Sequence, residues 1–374
     1  MAIASLEVFA LSAELRPPRG PSILTYSQRE TLLVKVSTEQ GLVGWGETYR
    51  VAGVEAAIRE VLAPMLRGRD PLALRSLHAE MQRATFNNGF AVGAVDLALE
   101  DLRGKALGVP VHVLHGGALR QRVEAYASLP GYFDDRAPEE HWVDEACALT
   151  DRGFKALKLR IGRFPPRREL PILERVRAAV GGEVRLMADG NAAYSPALAM
   201  EVGRALADLG FAWLEEPTPQ TGYAGYPELR QKLPLPLAGG EALHSRQAAC
   251  ETLERGCFDI IQPDVSICGG IGECLFIGEA AHTAAVRCVP HCWGGGPMLA
   301  ASLQVAALLP EPSRLRGVDA PLLEYDVTDN PFRTELLLGD PFALRGGMVE
   351  VPRAAGLGVE IDEQLLRRYG AQCG

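Results

Sequence analysis

Three acids close three successive apolar runs of the 374-residue chain. Asp189 ends Val184-Arg-Leu-Met-Ala-Asp, Glu215 ends Phe211-Ala-Trp-Leu-Glu, and Glu241 ends Leu235-Pro-Leu-Ala-Gly-Gly-Glu, at equal intervals. If each run is a strand of a parallel barrel, equivalent positions on neighbouring strands meet at its C-terminal rim, where active sites form. Carboxylates gathered there repel one another unless a cation sits among them. Oxygen-only ligands suit a hard divalent ion, Mg2+ first, with Mn2+ as a possible substitute. A single acid at a strand end is more often solvated or caps a helix. That reading weakens when three recur at one interval. Glu216 competes with Glu215 for the fourth strand's place.

The run Ala156-Leu-Lys-Leu-Arg puts Lys158 and Arg160 on one face, because side chains alternate along a strand. Two cations inside a barrel are costly unless they meet anions, and a substrate carboxylate would supply them. Asp264 and His291 end the sixth and seventh runs. A carboxylate beside an imidazole fixes its tautomer and raises its basicity, which makes a general base. Glu324, on the eighth and weakest run, is a candidate to hold a developing enolate oxygen. Asn191, Trp293, His244 and Tyr26 are candidates for substrate binding. Trp293 lies in the Gly-rich loop Val289-Pro-His-Cys-Trp-Gly-Gly-Gly296, and His244 follows Glu241 by three residues. The other histidines take the structural reading by default.

These residues need elements to position them. From Val123 onward, short apolar runs alternate with helical stretches, which implies βαβ units and a parallel sheet. Eight such units indicate an α/β fold of the TIM-barrel type. Before them the chain reads as mixed α and β. Strands are expected over Ile3 to Leu11 and Thr31 to Ser37, a loop over Arg16 to Ser22, turn residues over Gly41 to Gly46, and helices over Val54 to Arg67 and Phe90 to Leu107. The expected division is a capping region over 1–122, a barrel over 123–329, and a C-terminal segment over 330–374 of loops and short strands that packs back on the cap.

Composition excludes several classes. The net charge is −9, and no run of Lys and Arg marks a nucleic-acid surface. The eight cysteines form no C-x-x-C pair, which argues for a reducing, cytoplasmic setting rather than a disulfide framework. The N-terminus reads as no signal peptide, and no stretch reaches membrane-spanning length.

Taken together, Lys158-Leu-Arg160, Asp189-Gly-Asn191, Glu215-Glu-Pro217, Gly240-Glu241, Asp264 with Gly269-Gly270, His291 and Glu324 resemble the mandelate racemase subgroup of the enolase superfamily. Gly44-Trp-Gly-Glu47 and the helix from Gly93 to Lys105 extend the resemblance to the first third of the chain. It implies an N-terminal α+β capping domain over a (β/α)7β barrel. It further implies Mg2+ on Asp189, Glu215 and Glu241, an Asp264–His291 base, Glu324 and Lys158 at the enolate oxygen, and cap loops 15–28 and 47–53 that choose the substrate. The segments around His291 and Glu324 look most like acid-sugar enzymes of this subgroup, galactarolactone cycloisomerases among them. Relatives are often octamers, so a homo-oligomer, dimer to octamer, is expected.

One position departs from the family pattern. The family usually carries lysine where this chain has Arg160. Deprotonating arginine near neutral pH costs about 7 kcal/mol, at ~1.4 kcal/mol for each of about five pK units. A positioned general base contributes roughly 3–5 kcal/mol. Arg160 is therefore expected to bind a substrate anion. The expected reaction is α-proton removal from a hydroxy acid or its lactone, then loss of a β-oxygen as water or as a ring oxygen. A racemase using Arg160 as second base, and a non-catalytic barrel that binds an acid sugar, are the alternatives.

Overall fold

The computed structural model describes residues 1–313, 315 and 317–370. Strands β1 (Ile3–Gly20), β2 (Tyr26–Thr38) and β3 (Val43–Thr48) form an antiparallel meander. β1 runs through the segment expected to be a loop. Its ladder with β2 breaks after Glu14 and resumes at Arg19, which pairs with Tyr26. Pro17 and Pro18 fall in the break, where their missing N–H groups cost no ladder bond. Gly44 and Gly46, expected in a turn, lie inside β3. A Cβ at Gly44 would stand 2.1 Å from the Ala98 carbonyl, and one at Gly46 2.0 Å from that of Ala94. The glycines let the buried helix Gly89–Leu107 lie directly on the sheet.

The helix expected from Val54 ends at Leu66 and widens into a π-helix over Ala57–Leu62. Leu74–Ala84 is a further helix, which buries Leu74, Leu77 and Met81 along one stripe.

The barrel follows as strands β4 (Arg122–Ser128), β6 (Ala156–Arg160), β7 (Arg185–Asp189), β8 (Leu214–Glu215), β9 (Leu237–Gly239), β10 (Ile260–Ile261), β11 (Arg287–Cys288) and β12 (Leu322–Asp326). β5 (Tyr132–Phe133) leaves the barrel to pair with Arg19 and Gly20 of β1, stitching cap to barrel. The order β11-β10-β9-β8-β7-β6-β4-β12 is parallel throughout. Arg287, at the start of β11, reaches Ala320 just ahead of β12, with its Nε 3.2 Å from the Ala320 carbonyl oxygen. Helices Trp142–Asp151, Pro166–Val180, Pro196–Asp208, Tyr226–Lys232, Arg246–Glu254, Ile271–Thr283 and Gly296–Leu308 cover the outside. This is the (β/α)7β barrel with an α+β cap.

Alternation along the strands sorts the barrel interior into layers. Tyr126, Ala156, Met187, Trp213, Ala238, Ile260, Val289 and Leu322 form one buried apolar cluster that plugs the bore. Two residues further on, the same inward faces carry Lys158, Asp189, Glu215, Gln262, His291 and Glu324. The plug denies water the space below, so the polar layer lies at the floor of a cavity opening toward the cap.

After residue 330 the chain adds β13 (Met348–Glu350), antiparallel to β4. The helix Glu363–Tyr369 then contacts β1, and Lys35 pairs with Glu363 at 2.7 Å. No described helix is long and apolar enough to cross a membrane. The seven described cysteines are unpaired, and Cys373 lies outside the described residues.

Candidate active site

The polar layer is centred on Lys158. Its Nζ lies 2.5 Å from Glu215 Oε1, 2.7 Å from Glu324 Oε1 and 3.7 Å from Asp189 Oδ2. Burial disfavours the ammonium, but Glu215, Glu324 and Asp189 outweigh it and hold the proton more firmly than in water. Glu324 is drawn down to about 2, where burial is overcome by Lys158 and His291. Asp189 and Glu215 go the other way. Burial raises both, each is raised further by a neighbouring acid, and Lys158 offsets only part. The layer carries more negative charge than its cations cancel.

Register explains which acids meet. Asp189 pairs across the ladder with Glu215, as the spacing predicts. Glu241 does not continue the row. The β9 partner of Glu215 is Ala238, and β9 stops at Gly239. Gly240, at φ 109°, turns the chain before Glu241. Glu241 therefore stands higher, with its Oε2 3.3 Å from His291 Nε2 and its side chain 28% exposed. Among the described residues, no three His, Cys, Asp or Glu side chains enclose a ready-made metal cage.

Glu215 and Glu216 point to different partners. Glu215 Oε2 accepts from Gln262 Nε2 at 2.8 Å and from Trp213 Nε1 at 3.1 Å. Glu216, at φ 35°, turns to Tyr223 and to the Gly240 amide, and burial with the charge of Glu241 pushes its carboxyl well up. Asn191 donates to both Asp189 oxygens, at 2.9 Å through its backbone N–H and 3.0 Å through Nδ2. Its own Oδ1 is buried without a partner.

His291 Nδ1–H donates to Asp264 Oδ2 at 2.8 Å. Asp264 is fixed in turn by the Ser266 amide and hydroxyl on Oδ1, and by the Tyr49 hydroxyl on Oδ2. His291 Nε2 lies between Glu241 and Glu324 Oε2, the latter at 3.9 Å. Burial pulls the imidazolium down, yet Glu241, Glu324 and Asp264 together push it up to about 10. With the acids uncompensated, His291 holds two protons near neutral pH.

Arg160 is buried, lines the cavity, and makes no ion pair among the described residues. Its Nε has no hydrogen-bond partner. Burial works against its charge, but Asp189, Glu324, Asp326 and Glu241 raise its pKa further. Its proton is thus harder to remove than in water, which opposes a base and favours an anion binder.

Trp293 and Tyr26 meet over the cavity, with ring centroids 5.5 Å apart. Trp293 lies 3.7 Å from the guanidinium carbon of Arg29, and Arg29 pairs with Asp326 at 3.0 Å. Glu47 accepts from the Gly295 and Met298 amides at 2.7 and 3.1 Å. The Gly-rich loop after His291 is fastened to the cap by these contacts. His244 is not brought in. Its ring packs against Phe90 at 5.3 Å and does not line the cavity.

Sequence reading passed over Arg29 and Gln262. Glu47 and Tyr49 fell within a cap loop expected to choose the substrate, and nothing in their spacing pointed to the His291 loop or to Asp264.

The cavity measures about 460 Å3 and is roofed by Ile23, Leu24, Val51 and Phe90 from the cap. The size suits a small metabolite. The chain matches the family model "Mandelate racemase / muconate lactonizing enzyme, N-terminal domain" over residues 3–116 and "Enolase C-terminal domain-like" over 141–365. It is 35% identical to D-galactarolactone cycloisomerase of Agrobacterium fabrum, covering 99% of both chains. It is 34% identical to D-galactonate dehydratase of Verminephrobacter eiseniae, covering 91% of each. The solved structure of the 3,6-anhydro-D-galactonate cycloisomerase from Zobellia galactanivorans superimposes with a TM-score of 0.89 at 33% identity, over 99% of each chain. With both family models matched along nearly its whole length, the chain belongs to the mandelate racemase/muconate lactonizing enzyme family of the enolase superfamily.

Proposed function

We propose that this protein removes the proton next to the carboxylate of an acid sugar or its lactone and then expels a β-oxygen. One observation carries the reading. The imidazole of His291, oriented by Asp264 at 2.8 Å, presents Nε2 to a cavity whose floor holds the Lys158–Glu324 pair at 2.7 Å. A base and a cationic group for the resulting enediolate oxygen thus face the same space.

The donor set fits a hard divalent ion. Asp189, Glu215 and Glu241 offer only oxygens, and the uncompensated charge that raises Asp189 and Glu215 calls for a cation. Mg2+ is the expected ion. Bound there, it supplies positive charge to the substrate carboxylate and offsets the acids that hold the extra proton on His291. His291 takes the α-proton, the Lys158 ammonium, itself held by Glu324 at 2.7 Å, faces the oxygen that gains charge, and Arg160 binds a substrate anion. Protonated His291 then returns its proton to the departing oxygen. Asn191, Trp293 and Tyr26 position the sugar. The cap over 1–122 covers the site carried by the barrel over 123–329, and the segment over 330–374 packs back on the cap. A homo-oligomer in the cytoplasm completes the proposal.

The relatives named above include dehydratases and cycloisomerases, so the leaving oxygen is water or a ring oxygen. End-to-end likeness to two cycloisomerases favours the ring oxygen. The test is a screen of acid sugars and their lactones with Mg2+ in D2O. A 2-keto-3-deoxy acid, ring-opened where the substrate is a lactone, with solvent deuterium at the carbon that lost the β-oxygen, is the expected outcome. A His291→Asn variant that kept full turnover would overturn the assignment and leave a binding barrel.

A further inference from the structure

Two guanidinium groups address the Trp293 indole. Arg160 lines the substrate cavity beside Trp293, and its guanidinium carbon lies 5.8 Å from the ring centroid. That of Arg29 lies closer, at 3.7 Å, and lines no part of the cavity. Arg29 stands on β2 of the cap with its side chain only 3% exposed, so its stacking serves the indole and not a substrate.

The Arg29 guanidinium holds three things at once. Its Nη2 donates to the Trp293 carbonyl oxygen and pairs with Asp326 Oδ2 at 3.0 Å, while its carbon stands over the ring. Asp326 ends β12 and is fixed in turn by the Thr328 amide at 2.9 Å. A planar cation whose donors lie in its own plane can stack and hydrogen-bond together. An ammonium keeps the charge but has no plane.

The neighbouring contacts fix the backbone and leave the ring to Arg29. The Cys292 amide donates to Glu324 Oε2 at 3.1 Å, the Trp293 amide to the Tyr49 hydroxyl at 3.3 Å, and the Gly295 amide to Glu47 Oε1 at 2.7 Å. The Gly294 carbonyl accepts from Asn330 Nδ2 at 2.9 Å. On the cavity side the indole meets Tyr26, tilted by 39°.

We infer that Arg29 is a positioning residue. Acting through Trp293, it holds the indole as a standing wall beside Arg160, where the anionic end of the substrate is received. This role rests on the reading of the cavity as an acid-sugar site with Arg160 as its anion binder. An indole free to turn would have to be ordered by each incoming substrate, which weakens binding more than it slows the chemistry.

Arg29→Lys keeps a positive charge near Asp326 and gives up the plane. With Mg2+ and the acid sugar or lactone that the screen turns over, KM should rise at least fivefold and kcat change less than twofold. In a Trp293→Leu background the same substitution should raise KM less than twofold, because nothing is left for Arg29 to act through. A second readout needs no substrate. In protein labelled with 5-fluorotryptophan, the 19F resonance of Trp293, assigned by its loss in Trp293→Leu, should move by more than its linewidth in Arg29→Lys, while those of Trp45, Trp142 and Trp213 stay. Asp326→Asn serves if Arg29→Lys does not fold, with a severalfold rise in KM that disappears in the Trp293→Leu background. An unchanged KM, losses that multiply in the double variant, or an unmoved Trp293 resonance would overturn the assignment. If no acid sugar or lactone is turned over, the reading of the cavity fails, and the 19F comparison still decides whether Arg29 sets the ring.

Discussion

The Tyr49 hydroxyl donates to Asp264 Oδ2 at 2.8 Å, and the same oxygen accepts His291 Nδ1–H at 2.8 Å. Tyr49 follows β3 in the cap, whereas Asp264 and His291 stand on the barrel. The cap therefore reaches His291, the proposed base, through one shared oxygen. Tyr49 also accepts the Trp293 amide at 3.3 Å, which ties the loop beyond His291 to the same point.

Tyr49→Phe removes that donor and leaves the ring. More negative charge then remains on Asp264, and the His291 proton is held more tightly. The expected result is a fall in kcat of about tenfold, a fraction of the ~10²–10⁴-fold that a general base contributes, with the acid limb of the pH–rate profile moved upward. An unchanged profile with lowered stability would reduce Tyr49 to packing.

Arg160 decides whether the enzyme can work on both faces of the substrate carbon. Its charge is reinforced by Asp189, Glu324, Asp326 and Glu241 against the pull of burial, so it does not release a proton. Wild type should incorporate deuterium from one face only, without epimerisation. Arg160→Met should raise KM at least tenfold, about 1.4 kcal/mol of binding, with a smaller effect on kcat. Epimerised substrate recovered from wild-type reactions would restore the two-base reading.

Much of this site was legible because strand alternation and βα spacing are properties of the chain itself. Lys158 with Arg160, Asp189 with Glu215, and Asp264 with His291 all fall where period and register put them. Glu241 shows the limit. Its spacing matched, but Gly240 at φ 109° lifts it out of the row, and a glycine's φ is not written in the sequence. Gly44 and Gly46 were misread for a related reason. In sequence a glycine marks a turn or a close approach equally well, and only the helix at Gly89–Leu107 decides. Arg29 and Tyr49 act across the interface between cap and barrel, which no local pattern reports.

Asp96 gives the fold a pH dependence unrelated to turnover. Burial, opposed by His78 and aided by Glu100, pushes its carboxyl up to about 7. Asp96 Oδ1 accepts the Ile271 amide at 2.9 Å, where the helix Ile271–Thr283 begins. A folded-state pKa above the unfolded value of about 3.9 gives stability that is full below that value and lost as pH rises through about 7. Wild type should therefore lose up to a few kcal/mol between pH 5 and pH 8 from this group, at ~1.4 kcal/mol per unit. Asp96→Asn keeps an acceptor for Ile271 and has no charge to bury, so its urea midpoint should fall less across that range. Parallel curves for the two proteins would remove Asp96 as the cause.

Metal binding offers a test that needs no substrate. If Asp189, Glu215 and Glu241 share a divalent ion, Mg2+ should raise the unfolding temperature of the apo protein in a saturable way. At a hundredfold excess over Kd the gain is about 2.7 kcal/mol. Asp189→Asn and Glu215→Gln should abolish the shift, and chelator should reverse it in wild type. Glu216→Gln discriminates between the paired glutamates. Glu216 is committed to Tyr223 at 3.1 Å and to the Gly240 amide at 3.0 Å, both contacts that a glutamine oxygen can keep. Its Mg2+ response should match wild type. If Glu216→Gln abolished the shift while Glu215→Gln retained it, the ligand would be Glu216, and Glu215 would serve only to anchor Lys158.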